Sequence, residues 1–274
     1  MKSLRGYRAI ADYYDAEYVD EPMLRHDVPF MLDHFPRRGC DALEIAVGTG
    51  RAAIPVAQAG HRVVGIDYDP AMLALARRKR DFVGLDESAL SLLEMDATRL
   101  KLPRRFDRVF LLFNTLLSFT TLEQLDAVLQ GVREHLKPSG RFWLDIFNPD
   151  PRVLLHRSRT AVGASLFHVP SQGRTVQRRV SVSVNATAQL QTMEFAYCWF
   201  DASGVRRQAK RVFELTFLFP RELRILLERN GLEIEQQWGD HDGSPLSDDS
   251  PRIIASCRLA RSNRRATAAR RLPR

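Results

Sequence analysis

The segment Asp41-Ala-Leu-Glu-Ile-Ala-Val-Gly-Thr-Gly-Arg51 is followed, after a short helical run, by His61-Arg-Val-Val-Gly-Ile-Asp67. The apolar residues of the first segment predict a buried strand, and the two glycines after them allow the backbone to turn sharply and approach a ligand. The second segment predicts a parallel strand that ends at Asp67. Since the carboxyl ends of parallel strands share one crevice, we expect a ligand with a ribose to bind there.

The glycines alone do not identify this ligand. Gly48-Thr-Gly-Arg-Ala-Ala53 also satisfies the G-x-G-x-x-A fingerprint of dinucleotide-binding proteins. Glu44 precedes the turn, and its carboxylate would repel a pyrophosphate in a crevice of low dielectric constant. A cationic amino group or sulfonium would instead be attracted. Asp96 follows a further predicted strand, so three acids around one crevice indicate a positively charged nucleoside.

These residues resemble the class I S-adenosylmethionine-dependent methyltransferases of the small-molecule, methyltransferase domain 25-like type, over roughly Leu43 to Asn148. The first motif of that family is an acid followed by Gly-x-Gly-x-Gly. Here Glu44 is the acid, and Ala46 replaces the first glycine. Because alanine permits ordinary strand dihedrals, we expect tighter packing at this position and an intact site.

The resemblance implies that the chain is an enzyme with S-adenosyl-L-methionine as its cofactor and that it methylates an O or N atom of a small molecule. It implies that Asp67 binds the ribose hydroxyls and that Asp96 accepts a hydrogen bond from the adenine amino group. Residues after the fourth predicted strand would line the channel between cofactor and substrate. The residues expected to bind the cofactor are Glu44, Ala46, Gly48, Gly50, Asp67, Tyr68, Met72, Asp96, Ala97, Phe113 and Asn114.

The expected fold is α/β, with a doubly wound, Rossmann-like sheet of seven strands. Its last strand, residues 252–259, is expected to be antiparallel and to close the sheet edge. Alternating apolar residues after about residue 157 predict three or four antiparallel strands with a hairpin turn at 201–204. The expected order is a helical lid (1–38), a cofactor-binding core (39–150), an antiparallel β insertion (151–219), the rest of the core sheet (220–260) and a basic tail (261–274). We expect the insertion to cover the active site or to form a homodimer surface.

Two residues are candidates for catalysis. Tyrosine-rich N-terminal helices in small-molecule members of the family lie over the cofactor, which implies a contact from Tyr7, Tyr13 or Tyr14, with Tyr14 as first choice. The alternative is that these tyrosines only pack. His241, in an acid-rich loop, is a candidate proton acceptor or a solvent-facing side chain. That loop, residues 239–243, lacks the ligand spacing and closing glutamate of a calcium loop, so no metal site is expected.

The net charge of +8 is concentrated at one end of the chain. Residues 261–274 contain six arginines and no acid, which leaves +2 for the rest. We interpret this tail as disordered, with recruitment of RNA as the alternative. Asn114-Thr-Leu-Leu lacks the Pro-Pro-aromatic continuation of amino-methyltransferases that act on nucleic acid. The sequence therefore favours a small-molecule acceptor over a nucleic acid.

Three widely spaced cysteines suggest neither a disulfide framework nor a metal site. Without a signal sequence or an apolar run of about 18 residues, the chain is predicted to be soluble, cytoplasmic and not bound to a membrane. Three other functions remain open: an NAD(P)-binding oxidoreductase, a nucleoside-binding module without catalysis, and an RNA or tRNA methyltransferase recruited by the tail.

Overall fold

The computed structural model describes residues 11–18, 22–37, 39–156 and 158–261. In that part of the chain the strands are β1 (Asp41–Ile45), β2 (Arg62–Asp67), β3 (Leu90–Glu94), β4 (Phe106–Leu111), β5 (Leu136–Phe147), β6 (Thr160–Val169), β7 (Arg174–Asn185), β8 (Leu190–Phe200), β9 (Arg206–Thr216), β10 (Leu232–Trp238) and β11 (Arg252–Leu259). The helices are α1 (Ala11–Tyr18), α2 (Asp27–Asp33), α3 (Ala53–Gln58), α4 (Pro70–Phe82), α5 (Leu122–His135), α6 (Pro151–Leu154) and α7 (Pro220–Arg229). Short 3-10 turns occur at Pro22–Arg25, Ala97–Arg99, Thr115–Ser118 and Pro170–Gln172.

The larger sheet has seven strands in the order β10-β11-β5-β4-β1-β2-β3. β1 pairs in parallel with β2 and β4, whereas β11 is antiparallel to both of its neighbours. This order confirms the predicted doubly wound, Rossmann-like sheet with an antiparallel last strand. The prediction that residues 252–259 close the sheet edge was wrong, because β11 lies between β5 and β10. Its continuous run of buried residues is typical of an interior strand, whereas β10 is polar and forms the edge.

Helices cover both faces of this sheet and form two apolar cores. On one face, Leu125 of α5 and Leu223 of α7 pack against the strands. On the other face, Ile54 of α3 and Leu73 of α4 do so. α4 begins as its sequence predicts, because the carboxylate of Asp69 accepts a hydrogen bond from the Ala71 amide at 2.9 Å and Pro70 follows as the first helical residue.

The four strands β6 to β9 form a separate antiparallel sheet in chain order. This sheet confirms the predicted antiparallel insertion. The predicted hairpin turn joins β8 to β9, where Asp201 accepts hydrogen bonds from the amides of Ser203 and Val205, each at 3.0 Å. Gly204 supplies the left-handed backbone of this turn, with φ at 77°.

After α1, the expected helical lid is interrupted near residue 26. A 3-10 turn at Pro22–Arg25 is followed by a separate helix, α2. Pro29 explains the break, since a proline has no amide proton and its ring clashes with the carbonyl of residue i−4 in a helix interior. When the helix starts at Asp27, Pro29 lies in the first turn, where it is tolerated.

α1 contacts both β6 of the smaller sheet and α4 of the larger domain. The helix therefore bridges the two sheets. None of the helices in the described ranges combines the length and the hydrophobicity that a membrane span requires.

Candidate functional site

A cavity of about 400 Å³ lies between the carboxyl edge of the larger sheet and one face of the smaller sheet. Strand ends of the larger sheet and the glycine turn after β1 form one wall, which we call the core wall. Strands β7, β8 and β9 form the opposite wall, the insertion wall. Tyr18 of α1 also lines the cavity.

The glycine turn after β1 is built from left-handed backbone conformations. Gly48 and Gly50 have φ values of 56° and 78°, and Ala46 has a φ of 59°. The expectation that Ala46 keeps ordinary strand dihedrals was wrong, because β1 ends at Ile45 and the turn begins one residue later. For a residue with a Cβ atom, this conformation costs about 1–2 kcal/mol. The surrounding contacts of the turn therefore hold Ala46 in a backbone conformation that alanine disfavours.

Asp67 fixes this turn to the end of β2. One of its carboxylate oxygens accepts a hydrogen bond from the Gly48 amide at 2.8 Å, and the other accepts one from the Asp69 amide at 2.9 Å. Burial raises the pKa of Asp67, although both amides oppose that shift. Since each carboxylate oxygen can accept two hydrogen bonds, Asp67 retains acceptor capacity toward the cavity that it lines.

Glu44 is the second acid of the core wall and is only 6% exposed. Within the described part of the chain, its Oε2 atom has no hydrogen-bond partner. Burial raises the pKa of this carboxyl to about 8, although the charge of Arg51 lowers it. An unsatisfied buried oxygen of this kind is costly unless a ligand supplies its partner. The residue therefore fits a cofactor with a cationic group, as S-adenosylmethionine has.

Two charged contacts tie the turn to the N-terminal helices. The Thr49 hydroxyl donates a hydrogen bond to Asp15 of α1 at 2.7 Å, and Lys79 of α4 pairs with the same carboxylate at 3.0 Å. Arg51 pairs with buried Asp27 of α2 at 2.6 Å. Because Asp15 lies on α1, this helix is held directly against the turn that the cofactor is expected to contact.

Phe113 and Asn114, after β4, form another strained part of the cavity. Their φ values are 52° and 64°, which are uncommon for residues other than glycine. The side chain of Asn114 accepts a hydrogen bond from the Phe147 amide at 2.7 Å, and its own amide donates to the carbonyl of Asp145 at 3.0 Å. These bonds hold Phe113 over the cavity, where its ring meets the Tyr18 ring edge-on at 5.1 Å.

A buried ion pair connects α1 to the insertion wall. The Glu17 carboxylate accepts hydrogen bonds from Arg178 of β7 at 2.8 Å and from the Tyr197 hydroxyl of β8 at 3.1 Å. Burial raises the pKa of Glu17, and the charges of Arg178 and Arg211 oppose that shift. The helix that was predicted to form a lid is therefore fastened both to the glycine turn and to the insertion.

Most of the predicted cofactor residues line the cavity. These are Glu44, Ala46, Gly48, Asp67, Tyr68, Met72, Phe113 and Asn114. Gly50 lines a neighbouring cavity behind the turn. Asp96 and Ala97 do not line either cavity, and the Asp96 carboxylate caps the following 3-10 turn by accepting from the Thr98 amide at 2.9 Å. The cofactor contacts predicted for these residues stay predictions.

The two catalytic candidates lie in different surroundings. Tyr14 is in α1, but its side chain is outside what the structure describes, as is that of Tyr13. Tyr7 lies outside the described residues altogether. His241 does not line the cavity: it is buried beside β5, with its Nε2 atom 3.4 Å from the carboxylate of Asp145. Both catalytic roles stay predictions.

The sequence alone did not single out the side chains of the insertion wall. Arg178, Met193, Phe195, Arg211 and Phe213 all line the cavity. The alternation of apolar and polar residues along β7 to β9 indicated that one face of the smaller sheet would be buried. It did not indicate which part of the protein that face packs against. A local signal that could have found Arg211 is its position between apolar residues on the more buried face of β9.

Gly48 allows a test of how closely the backbone approaches the ligand. Gly48 and Gly84 both have left-handed backbones, and a Cβ atom at either one would meet nothing within 4 Å. We expect Gly48→Ala and Gly84→Ala to lower the free energy of unfolding by a similar amount, about 1–2 kcal/mol. Only the Gly48 methyl would occupy the cavity, so only that variant should lose cofactor affinity, by about tenfold or more. Equal cofactor affinity of the two variants, measured by calorimetry, would contradict this placement of the ligand.

Parts of the chain resemble known proteins in sequence. Residues 42–140 match a family described as a methyltransferase domain. A cypemycin N-terminal methyltransferase from a Streptomyces species is 33% identical over 122 residues, which are 44% of this chain and 48% of that protein. The chain spans about half the length of such curated relatives.

Two solved structures share the fold over most of the chain. The CcbJ methyltransferase from Streptomyces caelestis superimposes with a TM-score of 0.72 at 23% identity, covering 90% of this chain and 96% of that one. An amino pentose methyltransferase from Micromonospora echinaspora, with bound S-adenosylmethionine, has a TM-score of 0.68 at 24% identity and covers 89% and 95%. The similarity thus extends beyond the matched domain into the smaller sheet.

Proposed function

We propose that this chain is a class I S-adenosylmethionine-dependent methyltransferase and that it methylates an oxygen or nitrogen atom of a small molecule; a partial match to a methyltransferase domain and a shared fold support this proposal. The observation that carries the proposal is the cavity, whose core wall presents Glu44 and Asp67 to a cationic nucleoside and whose insertion wall closes over them. S-adenosylmethionine would supply a methyl group that its sulfonium already activates. A cavity of about 400 Å³ between two walls favours a small acceptor over a macromolecule.

The roles of the core wall follow from its contacts. Glu44 is proposed to bind the cationic amino group, and Asp67 to accept hydrogen bonds from the ribose hydroxyls. Tyr68 and Met72, at the start of α4, are proposed to pack against the adenine. Gly48 lets the backbone approach the ligand without a Cβ atom in the way.

On the acceptor side, the chain must mainly align the nucleophile and, for an acidic acceptor, remove a proton. Alignment is worth up to about 7–11 kcal/mol in model systems, and a base adds roughly 10²–10⁴-fold. We propose Tyr14 for this role because it precedes Tyr18 by four residues on α1, a spacing that places two residues on one face of a helix. His241 stays a second candidate. Full turnover by both Tyr14→Phe and His241→Ala on the true substrate would remove both assignments.

Amines are the first acceptors to screen. One similar protein is named as an N-terminal methyltransferase of cypemycin and another as an amino pentose methyltransferase. A neutral amine also needs no base before it attacks, which suits a reaction that depends mostly on alignment. Hydroxyl acceptors form the second group of the screen.

Cofactor binding tests the proposed function directly. We expect calorimetry to show binding of S-adenosylmethionine and S-adenosylhomocysteine, and no binding of NAD. Asp67→Ala should weaken both interactions roughly 10- to 100-fold, because it removes a charged acceptor from the ribose hydroxyls. Asp81→Ala, which removes an exposed acid at the end of α4, serves as the control. Binding of NAD alone would replace this proposal with an oxidoreductase.

The basic tail and the assembly of the chain are separate questions. The arginine-rich residues 262–274 lie outside the described residues, and recruitment of RNA by them remains the alternative to a small-molecule acceptor. A homodimer through the insertion also stays a prediction. Analytical ultracentrifugation of the purified chain would measure whether it forms a dimer. That measurement needs no assumption about RNA binding by the tail.

A further inference from the structure

The insertion wall presents a continuous apolar surface to the cavity. Val180 of β7, Met193 and Phe195 of β8, and Phe213 and Leu215 of β9 all line it. Phe195 is paired with Val180, and Met193 is paired with Phe213 in the next row. Since side chains alternate between the two faces of a strand, these residues share the face of the smaller sheet that is turned toward the core wall.

Aromatic rings line this cavity in two pairs. Phe195 and Phe213 meet edge-on, with their ring centroids 5.2 Å apart and their planes at 86°. Tyr18 and Phe113, which also line the cavity, form the second edge-on pair. The Arg211 guanidinium lies over the Phe213 ring at 4.5 Å and supports that ring from one side. Rings arranged in this way offer faces and edges to a further ring.

Three polar side chains near this surface are engaged within the protein. Arg178 donates hydrogen bonds to Glu17 at 2.8 Å and to the Ser165 hydroxyl at 3.1 Å. The hydroxyls of Thr115 and Ser118 donate to main-chain carbonyls three residues earlier, at 2.7 and 2.6 Å, and their 3-10 turn contacts β9. Because a buried polar group is costly without a hydrogen-bond partner, this surface suits an apolar acceptor better than one rich in hydroxyls.

We propose that the methyl acceptor is a planar aromatic molecule, whose ring packs against Phe195 and Phe213 while its nucleophilic oxygen or nitrogen atom faces the core wall. This inference rests on the proposed function, because it assigns the second wall of the same cavity to the acceptor. Packing an aromatic ring here buries apolar area on both partners. It also adds ring-to-ring contacts that a saturated body of the same size does not make.

The test compares three neutral alcohols as probes on the full chain saturated with S-adenosylhomocysteine. Benzyl alcohol and cyclohexylmethanol differ only in the saturation of their ring, whereas methyl glucoside is rich in hydroxyls. Ligand-observed NMR titration measures the three dissociation constants. We expect benzyl alcohol to bind about 2- to 10-fold more tightly than cyclohexylmethanol, and methyl glucoside to bind most weakly.

The comparison of the two ring alcohols distinguishes aromatic recognition from simple apolar burial. The saturated ring is the more hydrophobic of the two, so a wall that is merely apolar should favour cyclohexylmethanol. Equal or tighter binding of cyclohexylmethanol would therefore overturn the proposed aromatic acceptor. Equal or tighter binding of methyl glucoside, or no binding of benzyl alcohol, would overturn it as well.

A pair of matched variants assigns the preference to the insertion wall. Phe213→Leu keeps an apolar side chain but removes a ring from the cavity, so the preference for benzyl alcohol should be lost. Phe200→Leu makes the same change at a ring of β8 that is 64% exposed and does not line the cavity, and it should change nothing. A preference that survives in Phe213→Leu would contradict the proposed packing of the acceptor.

Binding of S-adenosylhomocysteine separates this inference from the proposed function. Wild-type affinity for this nucleoside in Phe213→Leu would show that the variant is folded and that the change is confined to the insertion wall. If the wild-type chain bound no S-adenosylhomocysteine, the proposed methyltransferase function would fail. If it bound the nucleoside but preferred methyl glucoside or cyclohexylmethanol, the function would stand and only the aromatic acceptor would fail. The order of the probes on the wild-type chain decides this inference even if the variant does not fold.

Discussion

Glu44→Gln is expected to weaken binding of S-adenosylmethionine roughly 10- to 100-fold, because the substitution removes the negative charge that the cationic group of the ligand would meet. The glutamine keeps the size of the side chain, so the cavity should keep its shape. Calorimetry measures the affinity, and Glu87→Gln, which removes an exposed acid between α4 and β3, controls for net charge. Unchanged affinity in Glu44→Gln would assign the cation to another residue.

The same carboxyl should couple cofactor binding to pH. With its pKa raised to about 8 by burial, Glu44 is mostly protonated at pH 7 in the ligand-free protein. A bound cation favours the ionised form, so binding should release a proton. Affinity should therefore rise as the pH increases from about 6 to 8 and then level off.

Calorimetry in phosphate and in Tris at pH 7 counts the released protons, because the two buffers differ in their enthalpy of ionisation. We expect a release that approaches one proton per site in the wild type and is lost in Glu44→Gln. Any protonation change of the ligand itself should contribute similarly to both proteins and largely cancel in the comparison. Equal release from the two proteins would contradict the coupling.

The placement of Glu44 and Asp67 beside one cavity could be predicted from the sequence, because it depends on where two neighbouring strands end. Each lies at or near the end of a short parallel strand, and the carboxyl ends of adjacent parallel strands share one crevice. The glycine turn between them has a similarly local origin. Its exact backbone was less predictable, since the left-handed conformation of Ala46 depends on where β1 ends.

The insertion wall could not be predicted because it depends on contacts between residues far apart in the chain. Arg178 meets Glu17 across 161 residues, and Tyr197 meets Glu17 across 180. Alternation along β7 and β8 predicts strands with two distinct faces, but no local pattern shows that one face lies over the crevice. The docking of the smaller sheet determines which arginines reach the site.

The position of β11 in the sheet was predicted incorrectly, although its sequence indicates the correct position. The resemblance placed an antiparallel strand at residues 252–259, which is correct, but the edge position assigned to it was not. Ile253, Ile254 and Ala255 are fully buried, and such an uninterrupted apolar run indicates a strand with neighbours on both sides. The apolar composition of β11 therefore indicated its interior position in the sheet. The assumption that the last strand of the chain is also the last strand of the sheet led to the wrong position.

Arg252, at the start of β11, forms a buried ion pair that should dominate stability in this part of the fold. Its Nε and Nη2 atoms contact one Asp145 carboxylate oxygen at 2.8 and 2.6 Å, and both side chains are nearly inaccessible to solvent. Although burial raises the pKa of Asp145, Arg252 and His241 bring it below its ordinary value. In the wild type, this stabilisation is present above a pH of about 3.8 and is lost as the pH falls further.

Arg252→Gln should lower the free energy of unfolding by about 3–5 kcal/mol at pH 7, since it leaves the Asp145 carboxylate buried with His241 alone. Burial then raises the pKa of Asp145 above its unfolded value, so the loss relative to wild type should shrink as the pH falls from 7 toward 5. Urea unfolding at several pH values measures both effects. The control Arg258→Gln, also on β11, breaks a partly exposed pair with Glu233 of β10 and should cost less than about 1 kcal/mol.

The double variant Asp145→Asn/Arg252→Gln decides whether the loss comes from the uncompensated charge or from lost packing. If the charge is responsible, the neutral pair should recover most of the stability, because neither group is then buried with an unmatched charge. Losses that simply add in the double variant would mean that the ion pair contributes no coupling energy and that Arg252 acts through packing alone.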